Sequence, residues 1–449
     1  MKLKFDYLIL SGILMFFAVE HPAYAAQGAM PLSLKQCIAL ALQNNIDVLL
    51  ARAHAQEAQG QKMSENADLL PQIDAVASQQ RTWWENIGAL GFSGFGNIGP
   101  FNTFNASIMV SQRILDLSAL AHAQAGRIKW KSSQLEIELA SQQVILATSL
   151  AYIQVLGYEE ELDSSYEDVR LAQHFLSLSE HQLDAGLASA VDVARDRTHL
   201  AQQKARQVEL RLNVVRSQLE LKRLIKLPLA QPIDLTDMLN NWKYDYLDVD
   251  KAIAQARQDR MEILVAHADS DYSLAELNAS KREYLPKIDV TGSWGETGQT
   301  PDKDDSHAAN ALVSISRPLW DSGKIAGDIK ENAGLNDEEK IKSDDTDWKV
   351  EEDVRLALET LVSTRAQVDA EKEVGDLAQR ELNLAQDRFT AGLGDNIQVI
   401  NAQVSLADAR DKYAQTLAQY DQAQLNYFAA LGEARQFNLS VNAQGRELI

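Results

Sequence analysis

Along residues 396–430 of the 449-residue chain, large apolar side chains recur every seven positions, at Val399, Leu406, Tyr413, Tyr420 and Tyr427. Small residues follow each by three: Ala402, Ala409, Thr416, Ala423 and Ala430. A sustained seven-residue period with large and small residues on alternate seam positions predicts a close-packed, left-handed coiled coil. An earlier segment keeps the same register with Val193, Leu200, Val214 and Leu221, with Leu210 and Leu224 on the companion positions and Gln207 as a lapse.

Each of these segments follows a break that is built twice. "LDAGLASAVDVARDRTHL" (Leu183 to Leu200) reappears 206 positions later as "FTAGLGDNIQVINAQVSL". No proline occurs from Phe101 to Leu227 or from Leu319 onward, so a long helix is expected to enter each break, from about Ala119 to Ala185 and from about Ile325 to Ala391. Gly186 and Gly392, with Gly394, would supply the turn at two helical-hairpin tips. The duplication extends further at an offset of 215. "IALALQNNIDVLLARAHA" (Ile38 to Ala55) matches "IAQARQDRMEILVAHADS", and "LPQIDAV" (Leu70 to Val76) matches "LPKIDVT". We therefore read a first repeat over 26–235 and a second over 236–432, followed by a tail at 433–449.

Between the helical parts the period falls to two. Phe104, Ala106, Ile108 and Val110 alternate with Asn105, Ser107 and Ser111, and Ile288, Val290 and Trp294 alternate with Asp289, Thr291 and Ser293. "ALVSIS" (Ala311 to Ser316) and "QIDAVAS" (Gln72 to Ser78) add two more alternating runs. One β-hairpin is expected in each repeat, at about 71–115 and 286–319, with helical hairpins at about 119–227 and 325–432. Trp83, Trp84, Phe101, Phe104 and Trp294 sit where aromatic side chains would mark a membrane interface.

Composition narrows the function. A net charge of −21 argues against nucleic acid, whose phosphates call for a basic surface. Lys2, Lys4, the apolar run Tyr7 to Val19 and Ala23-Tyr24-Ala25 predict an export signal over 1–25, cleaved after Ala25. Without a later apolar run long enough for a membrane helix, the exported chain could still span a bilayer as a closed barrel. Four strands cannot close alone, since small barrels begin at about eight, so the spanning form has to be an oligomer.

The single cysteine, Cys37, falls in an apolar helical pattern and is expected to be buried filler. "GFGNIG" (Gly94 to Gly99) matches the dinucleotide fingerprint, but Pro100 and a strand follow where a helix is required, so a surface loop is expected. No catalytic or metal-ligand constellation stands out, and neither an enzyme nor a bound cofactor is expected.

In the order of these blocks the chain resembles the TolC-like outer-membrane efflux proteins. The resemblance rests on "LSLKQCIALALQNNIDVLLARA" (Leu32 to Ala53), the strand starts at Leu70 and Leu285, "SRPLWDSGK" (Ser316 to Lys324) and the paired "AGL" tips. It implies a mainly α fold with a membrane β-barrel: long coiled-coil hairpins plus four strands per protomer, and a homotrimer with a twelve-stranded barrel in outer-membrane lipid above a periplasmic tunnel. A passive exit duct of a tripartite efflux pump or type I secretion system is implied as well, docking to a periplasmic adaptor and an inner-membrane pump at Gly186, Leu187, Gly392, Leu393 and Gly394. In the family, acidic residues after the second tip narrow the pore. Gln398 and Asn401 occupy those positions here, and Gly394 stands where an arginine lock is expected. The entrance charge is therefore sought after the first tip, at Asp192 with Arg195 and Asp196. The competing reading is a periplasmic coiled-coil scaffold or adaptor that never enters a membrane.

Overall fold

The computed structural model describes residues 29–84, 98–239, 246–302, 304–391 and 393–437. The expected export signal, the "GFGNIG" loop up to Asn97, Gly392 and the tail after Phe437 lie outside the described residues.

The duplication is visible in helix lengths. Helices α1 (Leu34–Asn44) and α5 (Val249–Asp259) have 11 residues each, and α2 (Ile46–Ala67) and α6 (Met261–Arg282) have 22 each. The long helices α3 (Leu117–Asp184) and α7 (Lys324–Thr390) have 68 and 67 residues, or about 100 Å at 1.5 Å per residue. The returning helices α4 (Ala190–Leu224) and α8 (Asn396–Ala430) have 35 each.

These helices form one wall. In its upper half α2 packs on α3, α3 on α6 and α6 on α7; in its lower half α4 packs on α3, α3 on α8 and α8 on α7. The short and returning helices stack end to end, because Asn45 Nδ2 donates to the last-turn carbonyl of Leu224 at 3.2 Å and Arg260 Nη1 to that of Ala430 at 3.4 Å. Such bonds satisfy helix-end carbonyls that would otherwise lack partners. The seam residues Val399, Leu406, Tyr420 and Tyr427 are buried with Ala402, Ala409, Ala423 and Ala430, and in the other hairpin Val193, Leu200, Leu210, Val214 and Leu221 are buried. At the crossing of α3 and α8 a Cβ on Gly157 would lie 3.1 Å from Ala418 Cβ, so a larger residue would force the helices apart. Helix α3 is long and apolar enough to cross a membrane by length and composition, but half of that stretch is buried inside the wall.

At mid-height a short parallel pair, β1 (Met30–Leu32) with β4 (Ile233–Leu235), closes over α3. Its anchor is Asp237, which accepts hydrogen bonds from Leu34 N at 2.7 Å and from the hydroxyl of the buried Tyr152 at 2.8 Å. Cys37 is fully buried in the same core, and burial pushes its thiol pKa up to about 12, so it packs as an inert apolar group.

Above the wall stands one antiparallel sheet in the order β2 (Gln72–Trp84), β3 (Ile98–Leu115), β5 (Lys287–Gly298) and β6 (Asp304–Ser316). The register aligns Ile73 with Val110, Ala75 with Ile108 and Trp294, and Ile288 with Ile315. Opposed residues share a face, so one face carries Ile73, Ile108, Val110, Trp294, Val313 and Ile315, drawn from all four strands. The other face carries Asp74, Ser78, Asn105, Ser107, Thr291, Ser293, Asn310 and Ser314 beside Val76, Met109 and Leu312. A Cβ at Gly295 would come within 2.2 Å of the Ala106 carbonyl oxygen, which leaves only glycine at that seam.

Candidate functional site

The two tips carry the same turn. At the first, Gly186 adopts φ 73°, a conformation costly for residues with a Cβ. Gly186 N donates to Leu183 O at 2.9 Å and Leu187 N to Gln182 O at 2.8 Å, the paired bonds that close a helix end through a left-handed residue. At the second, Leu393 N donates to Arg388 O at 2.8 Å, although Gly392 itself is not described. Gly394 sits tightly against the same turn, where a Cβ would lie 3.2 Å from Phe389 N and from Arg388 Cβ. Both turns project a leucine, with Leu187 80% and Leu393 76% exposed. Each is fixed by backbone bonds yet covered by none of the described residues.

The three first-tip candidates separate. Asp192 closes a capping box at the start of α4, accepting from Ser189 N at 3.0 Å and from Ser189 Oγ at 2.7 Å, with Arg195 Nη1 at 3.5 Å. The Ser189 hydroxyl bond holds its carboxyl below the ordinary aspartate range. Asp192 is half-buried and Arg195 exposed, so both remain at the surface of the tip.

Asp196 does not. It is only 3% exposed, accepts from Ser179 Oγ on α3, and accepts from Asn396 Nδ2 on α8 at 3.0 Å. The same amide donates to the Asp192 carbonyl at 3.2 Å. Burial raises the Asp196 pKa, against the hydrogen bonds of Ser179 and Asn396. Asp196 is thus a tie between the two hairpins rather than a charge facing a pore. Its seam position follows from the heptad register, three residues after Val193. Beside it His199 is buried, which lowers its pKa and keeps it neutral at pH 7. Gln398 and Asn401 are both exposed on α8, pointing away from the protomer's own core.

Higher up, a second polar cluster joins the hairpins. Asp168 on α3 pairs with Arg410 on α8 at 3.3 Å and Arg206 on α4 at 3.6 Å. Arg206 also pairs with Asp411 on α8, and Arg410 donates to Gln379 on α7 at 3.2 Å. Burial pushes the Asp168 pKa up, and the two guanidinium groups oppose that shift. No sequence pattern singled out these residues, because their partners lie on different helices.

At the sheet, Trp294 and Phe104 fall on the apolar face, and Trp83 is exposed at the end of β2. Phe101 pairs with Thr82 on the polar face, so strand parity removes it from an outward aromatic belt. The side chain of Trp84 lies outside the described residues. Sequence reasoning missed Leu319 and Trp320, 91% and 87% exposed just below β6. The loop presenting them is fixed by Asp321, which accepts from Gly323 N at 3.0 Å and Ile325 N at 2.7 Å, with positive φ at Ser322 and Gly323. Both follow Arg317 and Pro318 beyond the end of β6 at Ser316, where no strand alternation points to them.

Similarity to known proteins agrees with this architecture. The toluene efflux pump outer membrane protein TtgC of Pseudomonas putida is 23% identical over 422 residues, covering 89% of this chain and 83% of its own. A membrane protein of Pseudomonas aeruginosa superposes with a TM-score of 0.81 at 19% identity, covering 89% of this chain and 93% of its own. The CmeC outer membrane channel of Campylobacter jejuni superposes with a TM-score of 0.78 at 20% identity over 91% of this chain and 86% of its own. The model of the family described as outer membrane efflux protein matches residues 37–225 and 252–433, one segment in each repeat, and the chain belongs to that family.

Proposed function

We propose that three copies of this outer-membrane efflux protein close a twelve-stranded barrel above a periplasmic helical tunnel. The carrying observation is that sheet and wall both end in unpaired edges on the same two sides. Among the described residues, strands β2 and β6 each have a neighbour on one side only, and edge strands of 13 residues are a template for pairing with another chain. Three copies of the four-stranded sheet put an apolar band of about 25 Å toward lipid and the serine- and asparagine-rich face toward an aqueous lumen.

The helical edges carry matching apolar stripes. On α7, Ile341, Trp348, Leu377 and Leu384 are exposed; on α4, Val208, Leu212, Val215 and Leu219 are exposed at helical spacing. Trp348, 72% exposed, lies about 36 Å below the start of α7, and the exposed Ile46, Leu49 and Leu50 lie at a similar depth on α2. In a ring, α7 of one copy would cover α2 and α4 of the next. A periplasmic scaffold offers no occupant for the apolar strand face, which disfavours that reading. Native mass measurement of the protein extracted from outer membranes should give three copies, and a monomer would overturn the arrangement.

The channel would conduct passively, with energy supplied by an inner-membrane pump reached through an adaptor seated on Leu187 and Leu393. With Asp196 buried, Asp192 is the acidic candidate left for the entrance. Asp192→Asn should lower the cation preference of the trimer in a planar bilayer, and an unchanged reversal potential would remove Asp192 from that role.

A further inference from the structure

We propose that the base of the sheet in the second repeat is a docking surface for anionic phospholipid headgroups of the periplasm-facing leaflet, formed by Lys281, Arg282, Arg317 and Lys324 around Trp320. This rests on the reading of the sheet as membrane-spanning, which puts its lower strand ends at the membrane boundary.

Two turns meet there, one leading from α6 into β5 and one leading from β6 into α7. Arg317 Nε on the second donates to the Tyr284 carbonyl on the first at 3.3 Å, so the two make one surface. The four cations are exposed, and so are Tyr284, Leu285, Leu319 and Trp320. None of the four cations has an ion pair among the described residues. The acids of these turns are not their partners: Asp321 accepts from two backbone amides, and Glu283 is half-buried. Elsewhere at the base cations are neutralised, Arg113 by Asp68 at 3.1 Å and Lys287 by Asp116 at 3.3 Å. In a chain of net charge −21, four unpaired cations beside the strand ends form a local positive patch that fits an anion from outside.

The duplication shows that the fold does not require these cations. At the offset of 215, Asn66-Ala67-Asp68-Leu69-Leu70 in the first repeat stands where Lys281-Arg282-Glu283-Tyr284-Leu285 stands in the second. Both make the same turn, with Leu70 N donating to Ala67 O and Leu285 N to Arg282 O, each at 3.0 Å. The second repeat thus gains two cations and an aromatic ring on an unchanged backbone. Lys324 adds a cation at the first residue of α7, where the helix dipole disfavours one. Cations around an exposed tryptophan suit an anionic lipid surface: indole favours the headgroup level, and each Lys or Arg near such a surface strengthens binding about fivefold.

Native mass spectrometry can count the lipids that the protein retains after reconstitution in vesicles of equal phosphatidylglycerol and phosphatidylcholine and extraction in mild detergent. The parent should retain phosphatidylglycerol over phosphatidylcholine by roughly fivefold or more, and Lys281→Gln with Arg282→Gln, Arg317→Gln and Lys324→Gln should fall to parity. Lys281→Gln with Arg282→Gln alone breaks no bond within the protein and should already lower the preference about twofold or more. Neutralising Lys204, Arg211, Arg216 and Arg223 of α4 changes net charge equally and should leave the preference unchanged. Parity in the parent, or a preference that survives the four-site variant, would overturn the proposal. So would a Trp320→Ala variant that loses assembly yet keeps the lipid preference, since the loop would then belong to a contact between copies. Failure to enter vesicles at all would count against the membrane-spanning reading, whereas the preference of inserted protein tests the headgroup surface alone.

Discussion

Replacing Phe175 with alanine is expected to cost about 3–5 kcal/mol of stability, the range for deleting a buried aromatic side chain from a core that relaxes only partly. Phe175 is 2% exposed and packs from α3 into a cluster of α7 and α8 that contains Leu382, Phe389, Val399, Ala402 and Leu406. It is the main apolar link between the hairpins in the tip segment. Denaturant unfolding at matched protein concentration measures the cost, since an oligomer's stability depends on concentration. Phe175→Leu, which keeps much of the volume, should lose far less. A loss below about 1 kcal/mol for Phe175→Ala would mean that α3 does not pack into α7 and α8 at this height. The same variant should raise tip amide exchange, because the apolar contact and the Asp196–Asn396 tie resist the same displacement.

The double substitution Leu187→Asp with Leu393→Asp should abolish export while leaving fold and assembly intact. Both leucines are exposed on turns held by backbone hydrogen bonds, so no core contact is lost. An anchor side chain in an interface centre is worth about 2 kcal/mol or more, so the pair should weaken adaptor capture by roughly a hundredfold or greater. Adaptor binding to purified trimers, measured beside thermal stability, separates lost docking from lost folding. Unchanged adaptor binding would remove the leucines from the docking surface.

Much of this architecture is legible in periodicity. The seven-residue period at Val399 and Val193 marks the seams that are buried, and the two-residue period marks the strands whose register collects Ile73, Ile108, Val290 and Ile315 on one face. Periodicity reports which face is buried along one element, and it also placed Asp196 on a seam. A carboxylate in the motif after a tip invites a functional reading, and the hydrogen bonds that satisfy it come from Ser179 and from Asn396, 200 residues away. The Asp168 cluster was illegible for the same reason, since no local spacing joins α3, α4 and α8. Trp320 escaped because it lies past the last strand, where alternation stops being informative.

Single-channel recording of purified trimers in planar bilayers reads passive conduction through the outer membrane. A conduit of this kind gives discrete current steps of one amplitude, enlarged when Asn396→Ala releases the tip. Folded trimers that give no steps, in the parent and in Asn396→Ala alike, would contradict it.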